Sequence, residues 1–325
     1  MRLHEDIVRA MMTRDSFGPH LRLVGMALLW GASWPAGRVI AQNMPPLAAA
    51  SLRFVLAVMV LLPWMYCAGG FAGLKGWSAR RWLGMGAAGA TGVFGYASFF
   101  LLGLQHVPAG KAALVITLNP VVTLLLAVWL FRERINRVIA SGMLLAALGA
   151  VVVISHGRPL EILQGAVGTG EALILGCVAC WVSYTLIGRW LLTGVDALSA
   201  TAVTSTVGAV LLLAASLVVE GPAGLAAALH GTWQAWMALL FLAFGATALA
   251  YAWYFDGVKA LGAGAASGYI TLVPVIGVVF SALLLGEEID ASMLVGGAMA
   301  VAGTVVMNWG RRPAAAALST RRVAG

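Results

Sequence analysis

The chain has 325 residues, of which 61% are hydrophobic and 10% charged, with a formal net charge of +8. A soluble domain covers its exterior with about 25% charged residues, so this composition excludes a water-soluble globular fold and makes lipid the natural solvent. Three cysteines, Cys67, Cys177 and Cys180, are too few for a disulfide framework; the Cys-x-x-Cys pair lies in an apolar stretch without a second Cys or His pair, and reads as packing, not metal or redox chemistry.

In chain order, residues 1–21 mix Glu5, Asp6 and Asp15 with basic residues and lack an apolar core. They read as a cytoplasmic arm, mobile or interfacial, and not as a cleavable leader. Ten apolar runs follow, at 22–41, 47–67, 81–104, 108–131, 136–154, 168–191, 196–219, 233–256, 262–286 and 291–310. Each has roughly the 20 residues that cross a ~30 Å hydrocarbon core as a helix. The short connections leave no room for a sizeable soluble domain. The expected organisation is a first five-helix repeat over 22–154, a loop over 155–167, a second repeat over 168–310 and a basic cytoplasmic tail over 311–325. With the N-terminus in the cytoplasm, 16 of the 20 Lys and Arg fall on that side, among them Arg2, Arg9, Arg14, Arg134, Arg311, Arg312, Arg321 and Arg322. That bias orients helices during insertion. The basic charge therefore reports a multi-pass protein of the inner membrane with both termini cytoplasmic, and not a nucleic-acid partner.

The fourth and fifth runs have counterparts later in the chain. Aligning 103–153 with 257–307 gives 17 identities in 51 pairs, including Pro120/Pro274, Glu133/Glu287, Gly142/Gly296 and Gly149/Gly303. The start of each half matches at a separation of 151, with Trp30/Trp181, Gly37/Gly188 and Arg38/Arg189. Five helices is an odd number, so the second copy enters the membrane from the opposite side. The fold class is an all-α membrane protein of ten transmembrane helices arranged as two inverted five-helix repeats, an architecture of transporters with a site near the midplane. Pro120 cannot donate to the carbonyl of Ile116, nor Pro274 to that of Ile270. A freed carbonyl in lipid must face protein or a wet cavity. Both helices are expected to bend, with the two prolines as candidate hinges and the freed carbonyls inward.

The segments "LLWGASWPAGR" (28–38), "SLRFVLA" (51–57) and the paired "LNPVV…FRERI" and "LVPVI…GEEI" resemble the EamA family of the drug/metabolite transporter superfamily, over about residues 21–310. The resemblance implies a ten-helix inverted-repeat carrier of small metabolites, often amino acids moved outward.

Positions that differ polar-for-apolar between the repeats are the candidates for substrate: Arg53 against Thr204, Lys111 against Ala265, Asn119 against Val273 and Asp256 against Leu102. Arg53 either faces a cavity or snorkels to headgroups, and Lys111 has the same two options nearer its helix end. Asn119 can bond a ligand, a freed carbonyl or a neighbouring helix. Asp256 pairs with Lys259 or couples to a proton or a substrate ammonium. Arg38 and Arg189 read as anchors at helix ends. Tryptophans such as Trp64, Trp82, Trp129, Trp233 and Trp309 stand at span ends as an interfacial belt. Trp30, Trp34, Trp181 and Tyr184 are central, with Tyr96, Trp253, Tyr254 and Tyr269 somewhat off centre. Central tryptophans need a partner for the indole N–H or a wet cavity, so Trp30, Trp34, Tyr96, Trp181, Tyr184, Trp253 and Tyr269 join Arg53, Lys111 and Asn119 as candidate substrate-binding residues. The small-residue faces, Gly142, Gly149, Gly296 and Gly303 among them, are packing seams that also permit a homodimer.

The functional expectation is a permease exporting amino acids or related amphipathic compounds by alternating access, without cofactor or metal. The partners are the small-molecule substrate and the bilayer. Uptake of a metabolite or flipping of a lipid-linked group are the alternatives, since the fold does not set direction. No H-E-x-x-H, paired intramembrane Asp or Ser/His arrangement suggests an enzyme, and all five histidines fall in termini or loops.

Overall fold

The computed structural model describes residues 2–132, 135–160, 167–191 and 194–310, without the side chains of 2–17, 190–191 and 263–265. The features expected at Glu133 and Arg134, over 161–166 of the connecting loop and over the tail 311–325 lie outside the described residues. Among those described there are 10 helices long and apolar enough to cross a membrane, and no strand. They are α1 (Gly18–Asn43), α2 (Pro46–Cys67), α3 (Ala79–Leu104), α4 (Ala109–Phe131), α5 (Arg137–Ile154), α6 (Thr169–Arg189), α7 (Ala197–Val219), α8 (Trp233–Leu261), α9 (Ala266–Leu285) and α10 (Ala291–Gly310). The chain enters α1 as one continuous helix from Arg2.

Contacts at the helix ends show the alternation of direction. At the face where α1 begins, the near face, His20 meets Tyr269 at the start of α9, Arg22 meets Asp256 at the end of α8, and Asn136 meets Gly310. At the far face the first turn of α2 meets Glu220 beyond α7, and the first turn of α4 meets Glu287 beyond α9. Thus α1 starts at the near face and α6 at the far face, and the two repeats are inverted.

The fifth helices of the repeats, α5 and α10, pack on each other backbone to backbone. A Cβ at Gly142 would come under 3.0 Å from Gly303 O and the Met307 amide, and one at Gly149 equally close to Gly296 O and the Ala300 amide. Small residues let membrane helices approach this closely, and the resulting van der Waals contact replaces the hydrophobic drive that lipid cannot supply. The glycine seam expected from the sequence is therefore closed within the chain. Both helices also start alike: Asn136 Oδ1 accepts the Ile139 amide and Asp290 Oδ1 accepts the Met293 amide, positions equivalent across the repeat. The Ser292 hydroxyl and the Met293 amide hold the Asp290 carboxyl below its usual range.

Four interruptions of regular helix fall at equivalent places. In α4, α-helix ends at Val115, Ile116–Leu118 form a 3-10 turn, and α-helix resumes at Asn119, one residue before Pro120. In α9 the break is at Thr271, before Pro274. Thr117 and Thr271 each donate a hydroxyl to the carbonyl three residues back, Leu114 and Gly268, at 2.6 Å in both cases. The expectation of a freed, inward-facing Ile116 carbonyl is corrected by the 3-10 turn: tightening to an i→i+3 bond lets the Asn119 amide satisfy it. The other two interruptions are π-helical, Gly89–Gly95 in α3 and Phe241–Leu249 in α8. The C-caps correspond as well, with Gly286 at φ 65 and Arg132 at φ 54.

Two stability predictions follow from these geometries. Gly149→Ala forces α5 and α10 apart and is expected to cost about 1–3 kcal/mol, read as a lowered midpoint in detergent thermal unfolding. A non-glycine residue in the left-handed region is strained by about 1–2 kcal/mol, so Arg132→Gly is expected to leave the midpoint unchanged or raise it, despite the entropy glycine adds to the unfolded chain.

Candidate functional site

The interruptions surround a cavity of about 350 Å³ in the middle of the bundle, within the size range of small-molecule sites. Trp30 and Trp34, four residues apart on α1, share one helical face and both line it, with Tyr96 from α3, Trp181 and Tyr184 from α6 and Tyr251 from α8. The rings contact in two groups: Trp30 with Tyr251 at 5.2 Å in one, and Tyr96 with Trp181 at 5.8 Å and Trp181 with Tyr184 at 5.8 Å in the other. Trp30 solves its N–H problem by donating to Ala246 O at 2.9 Å, a carbonyl in the π-helical part of α8.

Arg53 enters this aromatic wall from α2. One guanidinium nitrogen, Nη2, donates to Thr247 Oγ1 at 3.2 Å, and the group lies 4.9 Å from the Phe54 ring centre. Its Nε is buried without a hydrogen-bond partner among the described residues. Thr247 can accept from Arg53 because its own hydroxyl donates to Leu242 O, five residues back along the π-helix. No Asp or Glu stands among the described lining residues. A guanidinium in a low-dielectric site favours an anion, and the wall offers none. The cavity thus sets a cation on α2 against the apolar surface of the rings.

The two ends of the cavity differ. Toward the near face the lining reaches the exposed Thr185 and the half-buried Asn308, two residues from the end of α10. Toward the far face it ends at Trp34 and Ala113, 3% and 0% exposed. Beyond them, polar bonds tie the far ends together. Arg38 donates to the carbonyls of Leu104 and Val107. Glu220 takes the amides of Leu47 and Ala48 at 2.8 and 2.7 Å, and Glu287 those of Ala109 and Gly110 at 2.8 and 2.9 Å. A carboxylate across the first amides of a helix satisfies donors that have no partner within the helix, and sits favourably in its dipole.

Compared with known proteins, the chain matches the EamA-like transporter family twice, over residues 19–155 and 168–309. It belongs to that family. Among curated relatives, the "Uncharacterized transporter YyaM" of Bacillus subtilis is 27% identical over 88% of this chain and 92% of its own. The "Probable amino-acid metabolite efflux pump" of Salmonella typhimurium is 27% identical over 88% and 93%. The "Probable terminal-alkyne amino-acid exporter" of Streptantibioticus cattleyicolor is 28% identical over 88% and 92%. A crystal structure 20% identical in sequence superposes with a TM-score of 0.62 over 89% of this chain and 98% of that one, a likeness of fold. The protein is an integral multi-pass membrane transporter of the EamA type.

Of the residues singled out in the sequence, the EamA cavity brings together Trp30, Trp34, Arg53, Tyr96, Asn119, Pro120, Trp181, Tyr184 and Pro274. Four others stand elsewhere. Lys111 is 3% exposed but lies in the far-face seal, bonded to Glu171 and His156, both at 2.6 Å. Trp253 packs on Gly25 at the α1–α8 contact, and the Tyr269 hydroxyl bonds His20 at 2.6 Å. Asp256 pairs with Arg22 at 2.9 Å, both half exposed at the near face, and not with Lys259 as expected. Arg22 approaches from the neighbouring helix, whereas an i,i+3 pairing would have stayed within α8. Arg38 and Arg189 sit as end anchors, Arg189 over the Phe131 ring at 4.5 Å. Cys177 donates its thiol toward Tyr96 O at 3.7 Å.

Sequence reasoning missed Tyr251 and Thr247. Their signal was helical spacing: Thr247, Tyr251 and Tyr254 fall at i, i+4 and i+7 on one face, and Trp253, two residues from Tyr251 and one from Tyr254, falls on another. The bonded far seal also yields a prediction. Glu287→Ala leaves the first amides of α4 without their acceptor, and a cysteine placed at Ala113 is expected to react several-fold faster with a membrane-impermeant thiol reagent applied from the far face.

Proposed function

We propose that the protein exports small amphipathic carboxylates, amino acids and related compounds, across the inner membrane by alternating access. The observation that carries this reading is Arg53, a guanidinium in a central aromatic cavity with a buried, unpartnered Nε and no carboxylate in the described lining. An incoming carboxylate supplies the missing anion and can take two N–H donors, while the aromatic walls receive the apolar part and can stack on a cation. The printed names of two relatives, an amino-acid metabolite efflux pump and a terminal-alkyne amino-acid exporter, support the same class. Pro120 and Pro274, each just after a helix interruption, are the hinges about which the bundle would rock, and both termini lie in the cytoplasm in this reading. The described lining offers no acid to carry a proton, so Asp256 at the near face is the candidate for any coupling.

The test is counterflow in proteoliposomes with labelled amino acids, with and without an imposed pH gradient. Exchange of apolar or aromatic members is the expected result, and no exchange by folded protein of any carboxylate offered would sink the proposal. Arg53→Gln is expected to lower exchange about tenfold or more, the worth of a charge-assisted bond. Any stimulation by the gradient should disappear in Asp256→Asn while counterflow persists.

A further inference from the structure

A second unpaired polar group lines the same cavity. Asn119 is 9% exposed, and its Oδ1 is buried without a hydrogen-bond partner among the described residues. It stands one residue before Pro120, where the 3-10 turn consumes its backbone amide on the Ile116 carbonyl. Asn119 itself lines the cavity. The equivalent position in the other repeat, Val273, also lines the cavity. The scaffold therefore accepts an apolar residue there, and the amide is not needed for the turn itself.

A buried acceptor without a donor costs roughly 1–3 kcal/mol, and a ligand that brings a donor removes that cost. Arg53 presents donors and Asn119 presents an acceptor. Arg53 is seven residues from the far end of α2 and Asn119 ten from the far end of α4, so their depths differ by about 5 Å at 1.5 Å per residue. The cavity thus has a cation-bearing pole and an acceptor pole at similar depth, with aromatic surface around them.

We infer that Asn119 is a specificity-determining residue that accepts a hydrogen bond from the amino group of the substrate, so that the carrier selects zwitterions over acids without an amine. This inference rests on the carboxylate reading of Arg53 and adds the second pole. A site built to bond a polar group rejects the analogue that lacks it, because its own buried group is then left unpaired.

The experiment is competition against labelled leucine counterflow by three ligands of similar shape: leucine, its deaminated 2-oxo acid and the matching alkylamine. For the unaltered protein, leucine is expected to compete at least about tenfold better than the oxo acid. In Asn119→Val, which copies the residue of the other repeat, that ratio is expected to fall toward one through loss of leucine's advantage. Ligand-induced thermal stabilisation in detergent gives the same ratio without transport and shows that the variant is folded. An oxo acid that competes as well as leucine in the unaltered protein overturns the inference and leaves the carboxylate reading standing, as does an unchanged ratio in folded Asn119→Val. Failure of both acids to bind overturns both readings.

Discussion

Hydrocarbon offers no water to a backbone carbonyl or amide, and this constraint decides where a membrane helix can depart from regularity. Several departures in this protein are answered from within: the 3-10 turn of α4 by the Asn119 amide, the kinks by the hydroxyls of Thr117 and Thr271, the π-helix of α8 by Thr247 and the indole of Trp30. These departures also converge on one place. The cavity is lined by Gly92 and Val93 from one π-segment, Ala246 and Thr247 from the other, and Ile116 and Ile270 from the two broken helices. Irregular backbone and binding space are thus the same region of the molecule, because only protein or a wetted interior can accommodate the first, and transport requires the second.

The two repeats divide the labour between them. Matched positions make the scaffold: the glycines of α5 and α10, the caps Asn136 and Asp290, the left-handed ends at Arg132 and Gly286, and the prolines. Unmatched positions bring polarity into the cavity, Arg53 against Thr204 and Asn119 against Val273, all four of which line it. An inverted duplication by itself makes a symmetric container. In the proposed reading, departures from that symmetry would allow it to distinguish one end of a molecule from the other.

Spans, repeat and inversion were legible in the sequence because each depends on an arithmetic that one chain displays: the length of apolar runs, the identities at one offset and the parity of five helices. Much of the cavity was legible for the same reason, since Trp30, Trp34 and Arg53 are anomalous in lipid wherever they point. Depth along a span was readable, but facing was not. Lys111, Trp253 and Tyr269 are as unusual in composition as Trp34, yet they serve contacts between helix ends, with Glu171, Gly25 and His20 as partners. Those partners are 60, 228 and 249 residues away in the chain, and no local periodicity points to them. Tyr251 went unnoticed because a tyrosine beside a tryptophan and a second tyrosine carries no composition signal of its own; only the stripe it forms with Thr247 separates it from them. The π-helical segments had no sequence signature beyond glycine and small residues, which packing seams share.

The material of the far-face seal has a consequence for opening. Glu220 and Glu287 add carboxylates on backbone amides to a far end that also packs Trp34, Phe100, Leu101, Leu104 and Val107. When apolar contacts part, they leave surfaces that water receives unfavourably. When these bonds part, they leave a carboxylate and two amides that water solvates nearly as well as they solvate each other. In the proposed cycle, the polar part of the seal would therefore add less to the cost of opening the far side than the buried apolar part does.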